Sequence, residues 1–307
     1  MGRFITRRLL LTVPVLIGAS FLIFAMVYAL PGDPIRALAG DRPLAPAVVA
    51  QLRAQYNLDD PFFVQYIKYV GGLFQGDFGS DFSGRPVLDT ISQRLPVTIQ
   101  LTAVAVIFEI LIGVTAGVLA ALRRNSFFDN LVLVSSTLLV SIPVFVLGFV
   151  SQYVLGYKLG LFPIAGINEG WYSYLLPGLV LASLSMAYVA RLTRTAVSES
   201  MAADYIRTAR SKGVGYSRIV TRHALRNSLI PVVTFIGADI GALLGGAIIT
   251  ESVFNIPGLG RAIFDAVQNQ EGAVVVGIVT LMVFFYIFFN LVVDVLYAFL
   301  DPRIRYE

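Results

Sequence analysis

The chain has 307 residues, of which 57% are hydrophobic and 14% charged, whereas soluble domains carry about a quarter charged residues; this balance indicates an integral membrane protein. It contains no cysteine and one histidine, His223, which excludes disulfides, thiolate chemistry and His-cluster metal sites. The net charge of +4 is carried by basic residues that cluster on particular loops, so membrane topology explains it better than nucleic-acid binding does.

The first apolar run covers residues 9–30 and follows three arginines, Arg3, Arg7 and Arg8. At 1.5 Å per residue this run extends roughly 33 Å, which is enough to cross the hydrocarbon core of a bilayer. It is also longer than the apolar region of a cleaved signal peptide, which has about 7–15 residues. We therefore predict a retained membrane helix whose N-terminus is cytoplasmic.

A polar segment, residues 31–96, follows this helix and begins with Pro-Gly-Asp-Pro. Residues 47–56 and 62–74 are predicted to form two short helices outside the membrane. Loops longer than about 60 residues are translocated largely regardless of their charge, so the charges of this segment do not set its side. Because the first helix starts inside, we expect the segment to be extracytoplasmic.

Five further apolar runs bring the predicted number of transmembrane helices to six, in an all-α integral membrane protein. These runs cover residues 97–122, 131–157, 174–190, 229–250 and 274–300. Pro143 is expected to kink the second of them. The short loops on one side are rich in Lys and Arg, which places those loops and both termini in the cytoplasm. We divide the chain into residues 1–30, the outer segment 31–96 and a five-helix core, residues 97–307.

The loop at residues 191–227 carries eight Lys or Arg and only two acidic residues. Residues 204–212 contain no helix breaker, and Asp204 and Arg207 form a pair of opposite charge at i,i+3. These features predict a short helix on a cytoplasmic loop.

One side of this predicted helix consists of small or aliphatic residues, since Ile206, Ala209 and Gly213 recur at helical spacing. Gly213 and Gly215 are expected to end the helix, and Ser217 to cap the next one. A face of small residues suits close docking, so we predict that this side contacts a partner protein.

Small residues also recur within the apolar runs, with Gly113 and Gly117 in one run and Gly237, Gly241 and Gly245 in another. Glycines at four-residue spacing let helices approach closely in lipid. Tight packing within the bundle is the favoured interpretation, and a role in gating is the alternative.

Three acids lie within apolar runs, namely Glu109, Asp239 and Asp294. Each would cost roughly 2.5–3.5 kcal/mol at a helix centre, so each is expected to face the bundle or water. No Lys or Arg lies beside them in the sequence, so no buried ion pair within the chain is predicted. They are possible pathway or bundle acids; we favour hydrogen-bonded structural acids over a proton relay.

The sequence lacks the motifs of catalytic sites. No Lys follows a Gly, which excludes the P-loop, and neither a G-x-S-x-G elbow nor an H-E-x-x-H motif occurs. We predict that the chain is not an enzyme and binds no cofactor, so any ATP used in its work is hydrolysed by another chain.

Several motifs occur in a characteristic order. They are Leu30-Pro31-Gly32-Asp33-Pro34, Tyr56-Asn57-Leu58-Asp59, Gly76-Asp77-Phe78-Gly79-Ser80, Arg94-Leu95-Pro96-Val97-Thr98, the segment Asp204 to Gly213, Glu251-Ser252-Val253-Phe254, Pro257-Gly258-Leu259-Gly260, and Leu300-Asp301-Pro302-Arg303. With this topology the chain resembles, over nearly its whole length, the first permease subunit of bacterial ABC importers of the dipeptide/oligopeptide/nickel family.

Two stretches depart from the patterns of that family. The general "EAA" loop has Glu-Ala-Ala where this chain has Arg207-Thr208-Ala209, a version similar to that of peptide permeases. After the Gly-Leu-Gly turn, relatives often carry an Arg-Asp-Tyr-Pro-like stretch, where this chain has residues 269–272, Asn-Gln-Glu-Gly.

The resemblance implies the type I ABC importer permease fold in the bacterial cytoplasmic (inner) membrane. It implies a second homologous permease subunit, two ATPase domains that bind ATP and Mg, and an extracytoplasmic substrate-binding protein, for which the outer segment is a docking surface or a passive cap. The residues expected to couple the bundle to the ATPases are Asp204, Tyr205, Arg207, Thr208, Ala209, Lys212, Gly213 and Gly215.

The cargo implied by the resemblance is di- or oligopeptides, with haem or nickel complexes as the alternative. A different class, a secondary transporter or channel that works without an ATPase, would predict inverted repeats or a filter-like sequence. Neither is seen. A membrane-embedded enzyme is disfavoured because no catalytic cluster is present.

Overall fold

The computed structural model describes residues 2–28, 45–55 and 57–300, and this part of the chain is helical apart from loops and one isolated β-bridge. Its main helices are α1 (Gly2–Tyr28), α2 (Pro46–Gln55), α3 (Phe62–Leu73), α4 (Val87–Leu122), α5 (Phe127–Ser141), α6 (Val144–Lys158), α7 (Leu175–Ala202), α8 (Asp204–Ser211), α9 (Tyr216–Val253), α10 (Leu259–Gln268) and α11 (Gly272–Leu300). The Pro-Gly-Asp-Pro motif and the motif after Leu300 lie outside the described residues.

Five helices, α1, α4, α7, α9 and α11, are long and apolar enough to cross a membrane, and α5 with α6 adds a sixth if the two halves form one span. Within the described residues, each of them covers most of one predicted apolar run. The two short helices predicted in the polar segment are present as α2 and α3. The all-helical membrane architecture is therefore confirmed.

The predicted kink at Pro143 is a complete break. The helices on its two sides, α5 and α6, are inclined by 105°. Ile142 adopts an extended conformation with φ −98° and ψ 125°, as a residue before proline prefers, and this ends α5. Pro143 then occupies the N-cap of α6, where no intrahelical N–H is missed. The predicted interruption at Pro143 is confirmed, but it is a break between two helices and not a kink within one helix.

Three membrane helices extend beyond their apolar runs. α4 begins at Val87, inside the segment predicted to be an outer loop, because Val87 and Ile91 are buried against α10 and α11. α7 continues to Ala202, and α9 begins at Tyr216. The polar residues in these extensions hide the helices from a search for continuous apolar runs.

The bundle is organised around α7, which packs against α4, α5 and α9. Gly113 and Gly117 of α4 lie against α7 so closely that a Cβ on Gly117 would be 2.5 Å from a carbonyl oxygen of that helix. Gly237 and Gly241 bring α9 equally close to α11. Tight packing explains these four glycines. Gly245 faces open space, so packing within this chain does not explain it.

Candidate functional site

The short helix predicted in the basic loop is α8, Asp204–Ser211, which joins the membrane helices α7 and α9. Asp204 lies in its first turn and Arg210 in its last turn, so both charges favour the helix dipole. Ala203 has ψ 152°, which separates α8 from α7 and lets the chain change direction.

The buried face of α8 packs against its own chain. Ile206 and Ala209 are buried in a cluster with Ile219 and Ala224 of α9. The predicted docking of this face on a partner was therefore wrong, because the loop supplies its own apolar cover. Seven of the eight predicted coupling residues lie outside this buried face. Those exposed residues are Asp204, Tyr205, Arg207, Thr208, Lys212, Gly213 and Gly215.

The C-terminal end of α8 has the hydrogen bonds of a Schellman motif. The Gly213 N–H donates to the Arg210 carbonyl oxygen at 2.9 Å, and the Val214 N–H donates to the Ala209 carbonyl oxygen at 3.2 Å. Gly213 has φ +74°, which a side chain would disfavour, so its role in ending the helix is confirmed. Gly215 has φ −63° and needs no glycine.

Ser217 does not cap the next helix, because α9 begins at Tyr216 with Gly215 as N-cap and no side-chain hydrogen bond there. The Ser217 prediction was wrong by two positions.

Side-chain hydrogen bonds fasten α8 to the two membrane helices beside it. The hydroxyls of Tyr205 and Ser200 are hydrogen-bonded to each other, and the Ser200 hydroxyl also donates to the Ala224 carbonyl oxygen at 3.2 Å. The predicted pair of Asp204 and Arg207 is present at 3.5 Å, with side chains 93% and 79% exposed. Such an exposed pair stabilises little and leaves both charges available to a partner.

A buried ion pair lies near the same end of α7. The Arg194 guanidinium donates to both Asp129 carboxylate oxygens, one of them at 2.9 Å, and the Asp129 side chain is 1% exposed. Asp129 also accepts the Asn125 N–H at 2.8 Å, so it ties the turn before α5 to α7. This pair could not be predicted from the sequence, because its members are separated by 65 positions.

The three acids of the apolar runs occupy different surroundings. Glu109 is fully buried in α4, and within the described residues neither of its carboxylate oxygens has a hydrogen-bond partner. Asp239 of α9 lies near Ser185 and is partly exposed, but its Oδ2 atom is buried and has no hydrogen-bond partner within the described residues. Asp294 pairs with Arg8 of α1 at 2.9 Å, but the two side chains are 31% and 47% exposed, so this is not a buried ion pair.

Another buried acid, Glu251, connects three helices. Its carboxylate accepts the Thr98 hydroxyl of α4 at 2.6 Å and the Arg261 N–H of α10 at 2.9 Å. The Thr98 oxygen in turn accepts the Leu259 N–H at 2.8 Å. Gly258 makes room for this carboxylate, because a Cβ there would overlap it. In the sequence, the motif Glu-Ser-Val-Phe marked this position but did not indicate which groups Glu251 binds.

A cavity of about 180 Å³ lies between α1, α3 and the start of α11. Tyr69 lines it and donates its hydroxyl to Thr280 at 2.9 Å. Burial raises the pKa of Tyr69 to about 12, so this hydroxyl stays protonated and keeps α3 bonded to α11.

A bundle of membrane-crossing helices that carries a fastened, charged helix on one of its loops is the architecture of a membrane transport permease. Within the described residues no group of acids and histidines could hold a metal ion.

Comparison with known families and proteins gives the family. The family described as the inner membrane component of binding-protein-dependent transport systems matches residues 113–306, and its N-terminal companion family matches residues 1–102. The chain belongs to this family and is a multi-pass, non-catalytic permease subunit of an ABC importer of the dipeptide/oligopeptide type. The resemblance noted from the sequence is confirmed.

Two relatives match over almost their full length. The dipeptide transport system permease protein DppB of Alkalihalophilus pseudofirmus is 37% identical, over 98% of both chains. The glutathione transport system permease protein GsiC of Escherichia coli (strain K12) is 42% identical, over 100% of both chains. A solved structure of the MetNI methionine ABC transporter, in an inward-facing conformation, matches with a TM-score of 0.58 and 18% identity. It covers 70% of this chain and 97% of the matched one, and it supports the fold alone.

Proposed function

We propose that this permease imports di- and oligopeptides and is driven through α8 by separate ATPase domains. The exposed charged face of α8 carries this proposal. The apolar face of α8 is packed against its own chain. A displacement of α8 by a partner on the exposed face therefore also displaces α7 and α9.

The proposed topology places both termini and α8 in the cytoplasm and residues 31–96 outside, because basic residues collect on the loop that holds α8. The division of the chain after residues 30 and 96 follows this topology. The N-terminal end of α4 then lies in the extracytoplasmic segment. A second homologous permease subunit encloses the pathway, and an extracytoplasmic binding protein delivers cargo. ATP and Mg are bound by the ATPase partners.

The proposed cargo rests on the two relatives, whose names specify dipeptides and glutathione, a small peptide. Selection of a particular peptide is expected to reside mostly in the binding protein.

The test is charge reversal on the exposed face of α8. In the reconstituted complex, Arg207→Glu is expected to abolish ATP-driven peptide uptake, while Arg207→Lys retains it. Neither change should lower the thermal stability of the isolated chain, because the pair that Arg207 forms with Asp204 is exposed. Uptake by the Arg207→Glu complex at the unmodified rate, with equal amounts of assembled protein, would contradict the coupling role.

A further inference from the structure

The most enclosed membrane helix has one exposed stripe. In α7, 61% of the apolar window is buried, against at most 33% in the other long spans. Its exposed positions Leu184, Tyr188, Thr195 and Glu199, with the half-buried Arg191, follow one another at three- or four-residue spacing. They therefore lie on one face of the helix.

This stripe is chemically unlike a surface that faces lipid. The exposed residues of α1 include Leu10, Val13, Ile17 and Leu22, all aliphatic. The stripe of α7 instead carries a guanidinium immediately after the apolar run of residues 174–190, where the charge must meet water or a polar partner. We take this face as one wall of an aqueous path.

Arg191 is available to bind an anion. Its guanidinium lies 4.9 Å from the centroid of the Tyr188 ring, a contact that leaves its N–H groups free to donate. Within the described residues it forms no salt bridge, whereas Arg194, one turn away, is paired with Asp129.

An acid lies farther along the same wall. Phe235 of α9 packs on Tyr188 with ring centroids 6.4 Å apart, and Asp239 lies one turn beyond Phe235. Asp239 is level with Ser185, six residues before Arg191, which corresponds to roughly 9 Å along the helix axis. The wall thus carries a cation and an acid at a spacing close to that of the two ends of a short peptide.

We propose that Arg191, held by Tyr188, binds the carboxylate of the peptide cargo in the cytoplasmic half of the pathway, with Asp239 facing its ammonium end. This inference rests on the proposed function. Phosphatidylglycerol and cardiolipin headgroups would satisfy Arg191 but carry no ammonium group for Asp239, and in aminophospholipids the ammonium lies only two carbons from the phosphate, so a zwitterionic peptide is the favoured occupant.

The experiment uses the absence of native cysteine in this chain. Leu184→Cys is introduced, and the nucleotide-free complex in nanodiscs of uncharged lipid is labelled with a sulfonate or a trimethylammonium methanethiosulfonate, followed by the mass of this chain. Leu184→Cys is expected to react with both reagents, and the ratio of the two rates is the reference for the next substitution. Ile17→Cys on α1 is expected to stay inert.

A second substitution isolates the charge. Arg191→Gln is expected to lower the ratio of sulfonate to ammonium labelling about fourfold, the effect in water of one charge about 10 Å away. Arg123→Gln is the matched control, since Arg123 makes the same kind of contact with Phe128 at 5.1 Å, away from the stripe. An inert Leu184→Cys, or an unchanged ratio in Arg191→Gln, would overturn the proposal.

Recognition of the carboxylate is tested with alanyl-alanine and its C-terminal amide as competitors. The free acid is expected to slow labelling at lower concentration than the amide, and Arg191→Gln to remove this difference. No difference in the parent protein contradicts the proposed ligand. Uptake by the unmodified complex with and without ATP, measured in the same preparation, tests the proposed function separately.

Discussion

Gly→Ala substitutions at two glycines test the backbone conformation of the turn that ends α8. Gly213 has φ +74° and Gly215 has φ −63°, and a Cβ at either position would meet no atom within 4 Å. Gly213→Ala and Gly215→Ala therefore differ only in backbone conformation. A side chain in the left-handed region costs about 1–2 kcal/mol, whereas Gly→Ala at a compatible position gains about 0.4–1 kcal/mol from the unfolded chain.

The unfolded-chain gain applies to both variants, so they should differ by about 1–2 kcal/mol in the local stability of the α8 turn. Hydrogen exchange of the Gly213 region measures this, because local opening sets the exchange rate there. Gly213→Ala is expected to exchange about tenfold faster and to couple ATP hydrolysis to uptake poorly; Gly215→Ala should behave as the parent. Equal exchange in the two variants would refute the assigned turn geometry.

Three further predictions concern buried contacts, and thermal unfolding of the solubilised chain measures each. Ile206→Ala should cost about 2–3 kcal/mol by emptying the cluster beneath α8; a loss under about 0.5 kcal/mol would mean that this face is not packed. Asp129→Asn should cost about 3 kcal/mol because Arg194 keeps an uncompensated charge, and an unchanged midpoint would contradict the pair. Glu251→Leu should cost about 1–3 kcal/mol because the Thr98 hydroxyl and the Arg261 N–H lose their buried acceptor; full stability would show that Glu251 is not an acceptor of these bonds.

The membrane helices could be predicted because continuous apolar runs alone identify them. The helix end at Gly213 could also be predicted, because a glycine in the left-handed conformation commonly ends a helix. Helix extensions were missed where polar and apolar residues alternate, as at the start of α4. The break at Pro143 was underestimated, because the sequence shows that proline interrupts a helix but not whether neighbours hold the two halves in line.

Partners distant in the sequence could not be predicted. Arg8 meets Asp294 only because α1 packs on α11, and Thr98 reaches Glu251 only because α4 packs on α9. The face of α8 was misassigned for a related reason. Its apolar residues indicated burial, but the sequence did not show that the first turns of α9 would cover them.

The proposed function requires that the ATPase partners bind the exposed face of α8. Thr208→Cys places one thiol on that face of this cysteine-free chain. Its rate of labelling by a water-soluble thiol reagent measures directly how accessible the face is. Labelling should be rapid in the isolated permease and slowed at least tenfold in the assembled, nucleotide-bound complex, while Ser83→Cys on the outer segment reacts equally in both. Equal labelling of Thr208→Cys in the two states would contradict the claim.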